Sequence, residues 1–520
     1  MPGGRSFVEG RERYILALLL SVAACAAGVA LYHIDRHVFL YFGDAASHIV
    51  KARQFVDSQR PGIHNIGPVW LPLPHILLLP FAARDGLFSS GIAGPVVGIP
   101  CFVGTGLLLF SMVCTLTGSR PIAFLSACLF GLNPNVIYMA LTPMSEPSLL
   151  FFVTLGGYAL LRWSHTGADR WLLLCAVAVM LATLCRYEAW LLAPFVSFVA
   201  AFKGISIERE TGRSAAVVRK LLVAALCWAG IVFWLWWNQA QYADALDFAH
   251  GTYSAVPTAS REYLQYQNQL SVLGTAVLNI FGPVPLFACA IAVLRLRRMA
   301  AEQRRPLLLL LLFLGLPPLS TLIAVLAGFV QVDQWWWNWR YVLTLGLVLS
   351  VASAIGLSEF FGRVRSASAR SVAVACFLGM PLVQIIVPSV GVATFEDAAK
   401  CFDRDANTLG ERLQSTYKGG SIALLTGEGQ GQRIMVSSCL LPLERFHMNY
   451  NCDEKRFRAP LWASYQYVVI GEDPAPESDQ FVDYWLSHRE LLLRYYHVLL
   501  EDSHYVLMER KMSDPMGKIE

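Results

Sequence analysis

The 520-residue chain is 55% hydrophobic and only 15% charged, with a mean hydropathy of +0.48, which excludes both an ordinary soluble globule and a disordered chain. Its net charge of +4 is too small to point to a nucleic-acid partner, and none is expected. The informative quantity is where the charges fall along the chain.

Arg5, Arg11 and Arg13 precede the first apolar run, 14–34, and predict a cytoplasmic N-terminus. Val22-Ala-Ala-Cys25 resembles a lipoprotein cleavage box, but the apolar run continues past it, so an uncleaved signal-anchor is expected. Further uncharged runs follow at 92–117, 121–142, 147–161, 171–185, 189–202, 221–240, 272–294, 306–330, 341–358 and 371–391. The short runs 171–185 and 189–202 are read as a hairpin with Arg186-Tyr187-Glu188 at its outer turn. Merging them would put the two most basic loops on opposite sides. The segment 66–83 is apolar but carries four prolines, so it reads as an interfacial or re-entrant element of the first outer loop, about 35–91. The expected architecture is a polytopic α-helical membrane domain, 1–391, of about eleven spans.

From 392 to 520 no spanning run remains. Strand-like runs at 422–425, 465–470, 496–500 and 505–508, with helix-like stretches near 403–415 and 478–493, predict a soluble α/β domain. Parity places it outside the cytoplasm. Nine of the twelve cysteines lie in or beside apolar runs, as buried cysteines do. Cys439 and Cys452, in the exported part, are a candidate disulfide, and no cysteine spacing resembles a zinc site.

The charges are asymmetric. Asp44, Asp57, Asp85, Glu146, Glu188, Asp244, Asp247, Glu262 and Asp333 fall on the predicted outer face, opposite the basic loops. Several sit at span ends in short polar clusters, among them 142–147, 185–188 and 335–341. Charges at a membrane boundary are costly unless paired or lining a wet cavity, which makes the set functional candidates. The tryptophans at 335–337 read as interfacial anchors. Transfer of a sugar from a lipid phosphate would need such groups. A carboxylate accepts the proton of the attacking acceptor, and cationic donors hold the phosphate. Asp44 is the candidate base, Arg186 and Arg340 with Tyr341 the candidate phosphate ligands, and His48, Lys51, Trp70, His75, Glu146, Glu188 and Asp247 the supporting or acceptor-side residues. No histidine spacing supports a metal site.

The segment Tyr-Phe-Gly-Asp44-Ala-Ala-Ser-His-Ile-Val-Lys-Ala-Arg53 resembles the first outer loop of the GT-C superfamily of membrane glycosyltransferases. It is similar to the bacterial protein O-mannosyltransferase and aminoarabinose transferase group, as are Gly67-Pro-Val-Trp-Leu-Pro-Leu-Pro-His75, Asn133-Pro-Asn135, Thr142-Pro-Met-Ser-Glu-Pro147, Arg186-Tyr-Glu188 and Arg340-Tyr341. The resemblance covers about 1–360 and implies a polyprenyl-phosphate sugar donor with inverting transfer at the outer leaflet of a bacterial inner membrane. The acceptor would be a lipid, a glycan or a protein. In that group the loop carries an acidic catalytic residue, often an Asp-Glu pair. Here Asp44 matches but Ala45 follows, so the local pair that would hold a divalent metal is missing, and Glu146, Glu188 or Asp247 would have to supply its second carboxylate. Three other readings share these features: a transferase or ligase of lipid-linked oligosaccharide, a transporter of lipid or sugar, and an inactive scaffold.

Overall fold

The structure is a computed structural model describing residues 5–211, 214–250, 268–333, 338–386, 391–426, 428–438, 440–448, 465–471 and 488–511. Glu262, Trp335, Trp336, Trp337, Cys439 and Cys452 lie outside the described residues. The chain separates into two compact units, one of Met1–Asp35, Gly67–Pro74 and Pro95–Asp397, the other of Arg36–Ile66, His75–Gly94 and Ala398–Glu520.

The first unit is a helical membrane bundle. Among the described residues seven helices are long and apolar enough to cross a bilayer, and up to nine if each of two bent pairs is one span. The sequence count of eleven is therefore not reproduced. Asp169–Thr183 is a helix of only 15 residues, roughly 22 Å at 1.5 Å per residue and short of a bilayer core. Glu146–Thr166 ends in the polar run Arg162-Trp-Ser-His-Thr166. Leu73–Ala82, with Pro80 inside it, has 10 residues and is too short to span.

The two bent pairs read in sequence as ordinary spans. Arg120–Gly131 and Pro134–Ala140 meet at 65°, and Gln269–Phe281 and Pro283–Arg298 at 102°. Each break has a local cause. Gly282 adopts φ +72, a conformation that L side chains rarely take, and Pro283 starts the next helix. Asn133 caps the helix that Pro134 begins, its side-chain oxygen accepting from Asn135 N at 2.9 Å. A break leaves backbone carbonyls without helical partners, which in lipid costs several kcal/mol per group. Here Asn133 Nδ2 donates to the Ile280 carbonyl at 2.7 Å, and Gln384 Nε2 donates to the Ile280 and Asn279 carbonyls at 2.7 and 2.6 Å. The Asn133-Pro-Asn135 motif thus stitches one broken helix to the other. Elsewhere the bundle is close-packed: a Cβ on Gly356 would lie 1.9 Å from the Ala288 carbonyl oxygen, so Leu345–Arg363 and Pro283–Arg298 touch backbone to backbone there.

The second unit is built on a five-stranded sheet of order β2-β1-β3-β5-β4: β1 is Ile422–Leu425, β2 Phe446–Met448, β3 Tyr467–Gly471, β4 Tyr496–Glu501 and β5 Tyr505–Arg510. β1 pairs in parallel with β2 and β3, while β5 runs antiparallel to β3 and β4. β1 and β3 are buried along their whole length, the mark of strands covered on both faces, whereas β4 is a half-exposed edge. Helices Arg404–Thr416, capped by Asp403, and Glu428–Ser437 accompany the sheet.

Residues of the first loop belong to this unit. The Gly43–Gln54 helix packs on Glu428–Ser437. Arg433, 3% exposed, donates to the carbonyls of Leu40 at 3.0 Å, Tyr41 at 3.1 Å and Cys401 at 3.4 Å, and stacks over Phe402. One buried guanidinium thereby joins the start of the chain to its last quarter.

Candidate functional site

In the first unit the predicted span-end charges form one cluster, with Glu146 and Arg340 buried and Arg186 and Glu188 partly so. Arg186 lies in extended backbone between the Asp169–Thr183 helix and the short Tyr187–Ala189 turn. Its Nη1 donates to Glu146 Oε1 at 2.9 Å and to Ser145 Oγ at 3.0 Å; Nε and Nη2 reach Glu188 Oε1 at 2.9 and 2.8 Å. Arg340 Nε lies 3.3 Å from the same Glu146 oxygen. Both guanidinium groups lie over the Tyr341 ring, at 5.0 and 5.3 Å from its centroid. Two arginines and two glutamates make the cluster formally neutral, which is how such charges are tolerated when buried.

Local structure sets each of these groups. Glu146 opens the Glu146–Thr166 helix, where a carboxylate complements the positive end of the helix dipole. Arg340 sits in the 3-10 turn Trp339–Thr344, entered through Asn338 at φ +60. Asn338 N donates to Asp397 Oδ2 at 3.0 Å, its side chain to the Gln331 carbonyl at 2.9 Å, and the buried Trp339 indole to the Asp333 carbonyl at 2.6 Å. Next to Arg186, Tyr187 donates to the Val69 carbonyl at 2.5 Å, accepts from Trp234 Nε1 at 3.0 Å and stacks on Phe248 at 4.9 Å. Burial works to lower the Arg186 pKa, but Glu146 and Glu188 outweigh it and hold it above its ordinary value. Arg186 is a fixed cation.

The second unit holds the other candidates. Asp44, half-buried, lies in the first turn of Gly43–Gln54, and His48 follows one turn later on the same face. His48 Nδ1 is 2.8 Å from His75 Nε2, both rings being buried. Lys51 is half-buried on the same helix. Arg53 is held by Asp57 at 2.9 Å and Asp85 at 2.7 Å and lies over the Phe88 ring, a structural role. Among the described residues no three His, Cys, Asp or Glu side chains are grouped so as to hold a metal ion.

Glu146, Glu188, Arg186, Arg340 and Tyr341 are thus brought together, and so are His48 and His75. Trp70 is half-buried beside the pinned Val69. Asp247 opens the turn Asp247–His250, and it is the neighbouring Phe248 that stacks on Tyr187; no hydrogen bond joins the Asp247 carboxylate to the arginines among the described residues. Ser145 and Phe248 were not singled out from sequence. Ser145 stood inside the quoted 142–147 motif, whereas Phe248 carried no local signal.

No protein-family model matches the sequence, and no curated protein does. Solved structures do match. ArnT from Cupriavidus metallidurans bound to undecaprenyl phosphate aligns over 95% of this chain and 99% of its own, with a TM-score of 0.58 and 13% identity. Its apo form aligns over 93% and 97%, with a TM-score of 0.53 and 13% identity. The archaeal oligosaccharyltransferase AglB from Archaeoglobus fulgidus, in complex with an inhibitory peptide and a dolichol-phosphate, aligns over 98% of this chain and 76% of its own, with a TM-score of 0.51 and 11% identity. Likeness at such identities establishes the fold.

Proposed function

The chain has the GT-C membrane fold shared by ArnT and the archaeal oligosaccharyltransferase, and from it we propose an inverting glycosyltransferase that moves a hexose or pentose from a polyprenyl-phosphate donor to an acceptor at the outer face of the cytoplasmic membrane. The observation that carries this reading is the arrangement of Arg186, Arg340 and Tyr341 around the buried Glu146. The solved neighbours captured with undecaprenyl phosphate and dolichol-phosphate support a lipid-phosphate donor.

The chemistry asks for cations at one end of the reaction and a base at the other. A sugar on a polyprenyl phosphate is a phosphodiester with one negative charge. When the acceptor oxygen bonds to the anomeric carbon, the carbon–oxygen bond to phosphate breaks with its electron pair and the leaving phosphate gains a second charge. Fixed guanidinium donors stabilise that developing charge. We assign this to Arg186 and Arg340, with Tyr341 as the surface on which both lie. Glu146 accepts from Arg186 and lies 3.3 Å from Arg340 Nε, so a donor phosphate would compete with one carboxylate for both cations. Asp44 is assigned the acceptor's proton, with His48, Lys51, Trp70, His75, Glu188 and Asp247 as supporting residues. A single displacement inverts the anomeric centre.

In this reading the N-terminus is cytoplasmic, and the second unit with its C-terminal sheet lies outside the cytoplasm, because the basic loops follow the positive-inside pattern. Two discontinuous helix pairs keep a transport reading alive, since substrate paths are often built from such helices. Comparing envelope glycans and glycoproteins of wild-type and deletion strains by mass spectrometry tests the proposal. Loss of one hexose or pentose from a defined product supports it, loss of a whole oligosaccharide supports a lipid-linked oligosaccharide transferase, and an unchanged profile refutes both.

A further inference from the structure

Another part of the first unit sets apolar surface beside clustered charge. An apolar groove of about 420 Å³ runs between Pro283–Arg298, Leu345–Arg363 and Ala367–Ile386, lined by Phe287, Ile291, Leu357, Phe360, Ala373 and Phe377. The groove exists because Gly356 lets the first two helices meet backbone to backbone, while Ala373 leaves space on the third.

The groove has a charged end. Arg295 follows Ile291 by one helical turn, and Arg363 follows Phe360 by three residues. Both converge on Glu359: Arg295 Nη1 reaches Oε2 at 3.1 Å, Arg363 Nη2 reaches Oε1 at 2.5 Å, and Arg298 Nη1 lies 3.6 Å from Oε1. Glu359 is 8% exposed, whereas the three arginine side chains are 44%, 62% and 44% exposed. One buried carboxylate therefore orients three accessible guanidinium groups, leaving two positive charges uncompensated beside an apolar slot. Solvated loop arginines alone would need neither the shared carboxylate nor the groove.

We propose that this is a binding site for an anionic glycerophospholipid of the leaflet that borders the basic loops. The phosphodiester headgroup is held by Arg295, Arg298 and Arg363, and an acyl chain lies in the groove beside Phe287 and Phe360. Charge complementarity selects the occupant. A zwitterionic lipid offers the slot an equal chain but a neutral headgroup, whereas an anionic one also meets the uncompensated guanidinium charge. The site is separate from the Arg186–Arg340 cluster and does not depend on the transferase reading.

The test uses the full chain, delipidated in detergent and titrated with dioleoyl-phosphatidylglycerol or dioleoyl-phosphatidylcholine, bound lipid being counted by native mass spectrometry. The wild type retains phosphatidylglycerol at least roughly fivefold more tightly, each arginine near a membrane surface being worth about that factor. Arg298→Gln leaves Glu359 paired with Arg295 and Arg363, so it preserves the fold and lowers the preference by roughly fivefold. Ala373→Trp fills the groove and removes one bound lipid of either kind. Equal retention of the two lipids, a preference untouched by Arg298→Gln, or full lipid occupancy in Ala373→Trp each overturns the proposal.

Discussion

Arg186 and Arg340 pair with the same oxygen of Glu146, at 2.9 and 3.3 Å, so one buried carboxylate keeps two largely buried cations together. Removing it leaves those cations facing each other in a low-dielectric setting. Glu146→Gln is therefore expected to cost about 3 kcal/mol or more, read from unfolding in detergent. Undecaprenyl phosphate, added in excess, should recover part of that loss if its phosphate occupies the vacated donors. A deficit indifferent to the lipid argues for a purely structural cluster.

Asp44→Asn is isosteric, and it should abolish sugar transfer while the melting temperature stays within a few degrees of wild type. Product formation is measured with purified protein and a polyprenyl-phosphate sugar. Near-normal turnover by the variant removes Asp44 from the mechanism.

Arg433 satisfies three backbone carbonyls that have few alternatives, two from the first loop and one from Cys401. Arg433→Met keeps much of the side-chain volume but strands those acceptors, at a cost of about 1–3 kcal/mol. Limited proteolysis is expected to cut within 36–66 before it cuts the membrane helices.

At Gly356 an added methyl would meet the Ala288 backbone at 1.9 Å, which no rotamer can relieve. Gly356→Ala should destabilise by about 1–3 kcal/mol through forced separation of the two helices. A variant with wild-type stability would show that this crossing is looser than its geometry implies.

His504 Nδ1 lies 2.8 Å from Asp405 Oδ2, and that hydrogen bond, with Asp405, Asp403 and Asp502 nearby, raises its pKa above 6.5. A histidine whose folded pKa is raised adds stability that is fully present below its unfolded pKa and fades as pH climbs through the folded value. The second unit should thus lose a small increment of stability as pH rises from about 6.5 through that raised pKa. Asp405→Asn should bring the His504 titration midpoint, followed by NMR of labelled histidine, back toward 6.5.

The long apolar helices were readable because twenty-odd uncharged residues admit little else in a bilayer. Four of the five strands, all but β2, were readable from short β-rich runs. β2 was not, because Phe446–Met448 is three residues whose strand character comes only from pairing with β1. The helix breaks escaped notice because Asn133-Pro134 and Gly282-Pro283 look in one dimension like tolerated interruptions; their consequence depends on Gln384 and Asn133 reaching across to Ile280. The span-end charges were found as candidates, but as separate ions. That Arg186 and Arg340 share Glu146 is a property of three distant segments meeting, and no spacing rule encodes it. The same holds for the first loop, whose tie to Arg433 bridges 393 residues.

That last distance is also a duration. At synthesis rates of about 5–20 residues per second, roughly 20 to 80 seconds separate Leu40 leaving the ribosome from the arrival of Arg433. The Asp44 helix and its flanks must wait for that whole interval without the Glu428–Ser437 helix that later covers them. The chain therefore makes its candidate base early and completes its setting last. A chain arrested anywhere in between carries membrane helices and a first loop that has not yet met its partner helix.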